Sequence, residues 1–156
     1  MAGLLDVKEL AYYISSIHKR DKQRDISPLK LQKSLYFLFA YWGAYVSKSK
    51  KSEDPLDCKK YLFDSAIEAW VYGPVIPEIY HLCKDEGKTL SQYKNDSLFK
   101  NKESVKEFID GMLKDIFEVS DFKLVELSHL DETWKSTTQS CNMNKNKIIR
   151  EYVSKI

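Results

Sequence analysis

Glycine is scarce in this chain: five in 156 residues, none arranged as a loop that could cradle phosphates. Cysteine is scarcer still. Cys58, Cys83 and Cys141 are odd in number, widely spaced and without a CxxC pair, so neither a disulfide framework nor a zinc site is expected, and a reducing cytoplasm is the compartment they suit. The three histidines, His18, His81 and His129, form no HExxH helix, and no nucleophile elbow is present. Catalysis and bound cofactors are therefore not expected. No segment approaches the roughly 20 apolar residues of a membrane span, and Asp6, Lys8 and Glu9 interrupt any apolar run of the signal-peptide kind. An excess of one charge is also lacking. Lys and Arg number 25 against 23 Asp and Glu, a net charge of +2, too little to imply nucleic acid or a membrane surface as partner.

Aromatic residues are plentiful at 13%, with ten tyrosines, and 43% of the chain is hydrophobic. One domain with a real core follows. Tyr and Trp serve cores and recognition surfaces alike, since each buries a large area and keeps a polar handle. Helical periodicity runs through most of the chain. Asp6 with Glu9 reads as a capping box, and Leu10, Tyr13, Ile14 and Ile17 form a stripe behind it. Lys19 to Asp25 is a polar turn. Ser27 and Pro28 suit the N-cap and first residue of a second helix. Its residues Leu31, Leu35, Leu38, Trp42, Tyr45 and Val46 share a face, and Tyr36, Phe37, Phe39 and Tyr41 cover much of the rest, as in a central buried helix.

Ser47 to Lys60 reads as a lysine-rich, solvated loop containing Pro55. Its basic cluster, Lys48, Lys50, Lys51, Lys59 and Lys60, lacks the aromatic interleaving of a single-strand nucleic-acid groove. Residues 61–75 predict a minor β-hairpin, from the alternation of Tyr61 and Phe63, then Ile67, Ala69 and Val71. A third helix is expected from Pro77 to Gly87 and a polar loop from Thr89 to Lys102, pinned by Leu90, Tyr93, Leu98 and Phe99. A fourth helix spans Glu103 to Val119. A short fifth helix is capped by Asp121, a turn covers Asp131 to Thr137, and a last helix starts near Asn144. The fold class is mainly α: a compact single-domain bundle of about five to six helices with a small hairpin near residues 61–75.

The segment Ile67 to Tyr80, IEAWVYGPVIPEIY, holds the most information. Gly73 can take backbone angles closed to other residues. Pro74 fixes its own φ and turns Gly73 away from helix. Pro77 suits a first helical turn. An extended arm, a sharp corner and a helix start follow one another.

EAWVYGPVIPEIY resembles the signature of the Panacea domain family, which includes SocA-like antitoxins and GepA-like phage-associated proteins. Two further segments agree in order. Upstream, Ser27-Pro28-Leu29-Lys30-Leu31-Gln32-Lys33-Ser34-Leu35-Tyr36-Phe37 is similar to the family's helix. Downstream come Glu126-Leu127-Ser128-His129, Trp134 five positions after the histidine, and a terminal Ile148-Ile149-Arg150-Glu151-Tyr152. The resemblance runs from about residue 5 to the C-terminus. The link over 47–60 is longer than usual for the family, and Thr133 stands where a proline often precedes the tryptophan. The resemblance implies a single antitoxin domain over 1–156, found in bacteria, plasmids and prophages, that binds a cognate toxin protein. It also implies, as a variant, an adaptor role that delivers the toxin to an ATP-dependent protease.

The family-like motifs mark Lys33, Trp70, Tyr72, Gly73, Pro74, Tyr80, His129 and Trp134 as partner-binding candidates. Each has a structural reading as well. His129 can bond Glu68 or a carbonyl near Gly73, and Trp70 and Trp134 can be core anchors. Glu78 in a first helical turn meets the favourable end of the helix dipole. His81 and Cys83, two apart on a helix, point in different directions. The alternative function is a nucleic-acid-binding regulator of a phage or toxin–antitoxin operon, against which the balanced charge counts. A hydrolase acting through Glu68, Glu78 and His129 is a third reading.

Overall fold

The computed structural model describes residues 3–49, 59–92 and 94–156. Among these residues seven α-helices and one two-stranded sheet form the body: α1 (Val7–Lys22), α2 (Pro28–Ser49), β1 (Glu68–Trp70), β2 (Gly73–Val75), α3 (Pro77–Glu86), α4 (Glu103–Ile116), α5 (Asp121–His129), α6 (Glu132–Ser136) and α7 (Lys145–Val153), with a 3-10 helix at Gly87–Gln92. Helix α2 lies at the centre, as its nearly all-round apolar surface predicts. Leu31, Leu35, Tyr36, Leu38, Phe39, Ala40 and Trp42 are all buried, and α1, α3, α4, α5 and α7 all pack against α2.

Several helix starts follow the local chemistry. The Asp6 carboxylate accepts from Glu9 N at 3.1 Å, Ser27 Oγ accepts from Lys30 N at 3.0 Å, and Asn144 Oδ1 accepts from Lys147 N at 3.0 Å. Each satisfies an orphan N–H of a first turn. The cap of α5 is a correction. Ser120, not Asp121, accepts from Lys123 N, and Asp121 is the first helical residue. Its carboxylate instead accepts from Ser27 Oγ at 2.5 Å and lies 3.6 Å from Lys30 Nζ, which docks the start of α5 on the start of α2.

Other boundaries also move. Helix α2 runs on to Ser49, so Ser47–Ser49 are not loop; Lys48 in that last turn donates to Ile156 O at 2.6 Å, a favourable place for a cation. Within the rest of the expected lysine-rich loop, residues 50–58 lie outside the described residues, with Lys50, Lys51, Pro55 and Cys58, and so does Tyr93. Helix α4 stops at Ile116 rather than Val119. The stretch after Gly87 closes into the 3-10 helix, whose Leu90 is buried. Within the expected turn Asp131–Thr137, Glu132–Ser136 forms α6. Tyr61 and Phe63 are not in the hairpin: Tyr61 makes an isolated bridge with Gly3, while Leu62 and Phe63 enter the core. Tyr45, expected on the buried face, is 54% exposed and stacks on Phe108 at 5.8 Å.

Helix α7 closes the body from the C-terminal side. It approaches α2 so tightly at Gly43 that an added Cβ would lie 2.5 Å from Ile149 Cγ1. Beside this crossing sits a buried polar cluster. The Asp131 carboxylate, fully buried, accepts from the Tyr36 hydroxyl, from the Tyr152 hydroxyl at 2.5 Å and from Lys155 Nζ at 2.7 Å. Burial, then Tyr152 and the Asp131 carboxylate, hold the Tyr36 phenol well above its ordinary pKa. Burial and then Asp131 do the same for Tyr152. Both therefore remain donors. Removing the acceptor would strand two buried hydroxyls, at about 1–3 kcal/mol each. Asp131→Ala is expected to destabilise the fold by about 2–5 kcal/mol, read as a lower midpoint in urea denaturation.

Candidate partner-binding site

The hairpin of β1 and β2 has three residues in each strand, with Glu68 opposite Val75, Ala69 opposite Pro74 and Trp70 opposite Gly73. A ribbon this short is marginal alone. Its backbone is held from several sides by the rest of the molecule. On the edge of β1, Met143 N donates to Ile67 O at 2.7 Å, Ser140 N to Ala69 O at 2.7 Å, and Ala69 N to Cys141 O at 3.1 Å. From α6, Trp134 Nε1 donates to Trp70 O at 2.9 Å. From α5, His129 Nε2 donates to Val71 O at 3.0 Å, the tautomer with its proton on that nitrogen. From α2, Lys33 Nζ donates to Pro74 O at 3.1 Å, and the Gln32 amide pairs with Ile76 both ways, to its O at 3.0 Å and from its N at 2.8 Å.

The sequence motifs thus meet in space: Gln32 and Lys33, His129 and Trp134 all grip the backbone of the corner. Gly73 is required there twice over. Its φ is +106°, and an added Cβ would sit 2.4 Å from Ser128 Oγ and 3.0 Å from Lys33 Nζ. Gly73 and Pro74 are buried, so they shape the corner from within. Lys33, expected as a polar neighbour of a contact patch, is fully enclosed and braces the corner from below. Burial alone lowers its pKa from 10.5 to about 8, and among the described residues no carboxylate pairs with it.

The rings divide into holders and presenters. Trp134 stacks on the His129 imidazole at 4.3 Å and 17°, and both are half-buried. Trp70 is half-buried, oriented by a bond from its Nε1 to Glu68 Oε1 at 2.8 Å and by edge-on contact with Tyr80 at 5.1 Å. Val71 and Tyr72, at the tip, are 58% and 67% exposed, and Tyr80 is 38% exposed. A cleft of about 490 Å3 lies between the start of α2 and the hairpin, lined by Pro28, Leu29, Trp70, Val71, Tyr72 and Tyr80 among others. A second, of about 310 Å3, lies across Trp70 and Val71 and is lined also by Trp134, Lys135 and Gln139. The tip therefore stands as a ridge between two depressions.

The acid–base candidates are not gathered. Glu68 serves Trp70, Glu78 accepts from Ser65 Oγ at 2.9 Å, and His129 serves Val71. Ser128 is buried and donates to Val125 O at 2.9 Å. Cys83 is half-buried and His81 exposed, and burial raises the Cys83 pKa, which disfavours the thiolate. Among the described residues no helix is long and apolar enough to cross a membrane. Sequence reasoning passed over Gln32, Val71 and Glu151. Gln32 carried a signal: an amide inside an apolar helical face needs a partner. Glu151 carried only its place in the terminal motif, which says nothing of its targets, backbone N–H groups nineteen and eighteen positions earlier.

Two substitutions probe this geometry. Gly73→Ala is expected to destabilise by about 1–3 kcal/mol, read by thermal denaturation. Lys33→Met tests the buried amine through pH. The folded pKa lies below the unfolded one, so between about 8 and 10.5 the unfolded chain binds more protons and stability rises with pH. Below that window both states are protonated and the slope vanishes. Across that window the wild-type protein should gain stability relative to the Met variant, since the raised pKa values of Tyr36, Tyr152 and Cys83 act on both proteins alike and cancel in the difference.

Comparison with curated proteins and with solved structures found no significant match. A family model does match residues 56–135, a stretch that holds the hairpin, α3 to α5 and Trp134. On that match this chain belongs to the antitoxin SocA-like, Panacea domain family.

Proposed function

We propose that this protein is the antitoxin of a type II toxin–antitoxin pair, acting in the cytoplasm by binding and neutralising a cognate toxin protein. Family membership supports an antitoxin role. The observation that carries the contact surface is the hairpin tip. Tyr72 and Val71 stand exposed on a backbone bonded by His129, Trp134 and Lys33. Large exposed apolar side chains on a rigid support suit protein recognition, because little conformational freedom is lost on binding. Neutralisation would follow from surface complementarity: the tip, Tyr80 and the adjoining cleft form the apolar centre, and Gln139, Ser140 and Lys135 lie at its rim. Trp70, His129 and Trp134 contribute mainly by holding the tip in place, and Gly73, Pro74 and Lys33 act from beneath it. Delivery of the bound toxin to an ATP-dependent protease is a compatible extension of the same contact.

Tyr72→Ala separates contact from fold. Its side chain is mostly solvent-exposed, so the variant is expected to keep its circular dichroism spectrum and its Tm within a few degrees. Co-expressed with the product of the adjacent reading frame, it should fail to rescue growth where the wild-type protein succeeds. Trp134→Ala should lose both stability and rescue. A fully active, folded Tyr72→Ala variant would remove the tip from the contact surface.

A further inference from the structure

Helix α6 has five residues, too few to persist on its own hydrogen bonds. Its first turn is not capped by the residue before it, since the Asp131 side chain is committed to Tyr36, Tyr152 and Lys155. The cap comes from α7 instead. The Glu151 carboxylate accepts from Glu132 N at 2.6 Å, from Thr133 N at 3.0 Å and from Thr133 Oγ1 at 2.8 Å. Helix α6 is thus held at its start by two carboxylates, that of Glu151 on α7 and that of Asp131, which takes donors from Tyr36 on α2, Tyr152 on α7 and Lys155 just beyond it. One turn on, Trp134 carries the order outward: it holds Trp70 O and stacks on the imidazole that holds Val71 O. None of the α7 residues lines either cleft beside the tip.

We infer that Glu151 is a positioning residue for the docking tip: by capping α6 across space it sets Trp134, and through Trp134 and His129 it sets the backbone of residues 70–71. Helix α7 then works as a latch. When it is seated, the tip is preorganised; when the cap is released, α6 and the tip loosen together while the rest of the body stays folded. The carboxylate must be ionised to accept all three donors. Its partial burial would raise its pKa, but the bonds from the Thr133 and Glu132 N–H groups and the Thr133 hydroxyl leave it lowered, so the latch is closed at neutral pH. The value of this device to the protein rests on the proposed toxin contact; the device itself can be read on the protein alone.

Amide hydrogen exchange on the full chain, followed by mass spectrometry, provides the test. Glu151→Ala is expected to speed exchange about tenfold in residues 131–137 and in residues 69–72 together, with α4 unchanged. Glu151→Gln, which keeps one acceptor, should fall between that variant and the wild-type protein, and it serves if the alanine variant does not fold. Val105→Ala, a buried site on α4, gives the control for general loss of stability and should not single out the tip. Faster exchange in α6 with an unchanged tip would overturn the inference. So would no change in α6, or a rise spread evenly over the chain. Failure of the wild-type protein to rescue growth beside the product of the adjacent reading frame would count against the proposed function and leave this measurement standing.

Discussion

The need to satisfy the backbone of a hairpin with two three-residue strands governs this molecule. Peptide groups buried without partners are costly, and two strands of three residues supply few bonds to each other. Carbonyls between Ile67 and Ile76 are therefore met by side chains from α2, α5 and α6 and by backbone N–H groups of Ser140 and Met143. Those same bonds fix where Val71 and Tyr72 stand. Fold and the proposed recognition surface are consequently one construction, because the residues that hold the corner also set its shape.

This arrangement places a buried amine under the tip. Among the described residues Lys33 Nζ has a single carbonyl partner, and an ammonium in such a place is less stable than in water. A buried polar group of this kind is weak support for stability. Its effect is local: it occupies the space left by the missing Cβ of Gly73 and fills the carbonyl of Pro74. The Asp131 cluster is different, with three donors converging on one carboxylate. It joins α2, the α5–α6 junction and the C-terminal end, and so links the central helix to the support of Trp134.

Much of the framework was legible in the chain. Asp6, Ser27 and Asn144 announced helix starts because a cap acts on an N–H three residues away. Pro77 and Gly87 bounded α3, and Gly73-Pro74 marked the corner, because both residues restrict or free the backbone locally. Of the two partners the sequence offers His129, Glu68 or a carbonyl near Gly73, the structure takes the second kind, the carbonyl of Val71. Less legible was the division of labour among the aromatic rings. Trp134 and Tyr72 look alike as contact candidates in sequence, yet one is a half-buried strut and the other projects into solvent. Lys33, a partner-binding candidate by its motif, is enclosed.

Sequence by itself determined the class of this protein: a helical body, its central helix, the sharp corner and the family motifs, all encoded by periodicity or by residues acting on near neighbours. Tertiary structure alone decided which side chains close the corner's hydrogen bonds, that Glu151 caps a helix nineteen residues behind it, and which rings reach solvent. The physical reason is range. Caps, turns and stripes are settled within about four residues of chain, whereas burial and long-range hydrogen bonds depend on which faces the folded helices bring together.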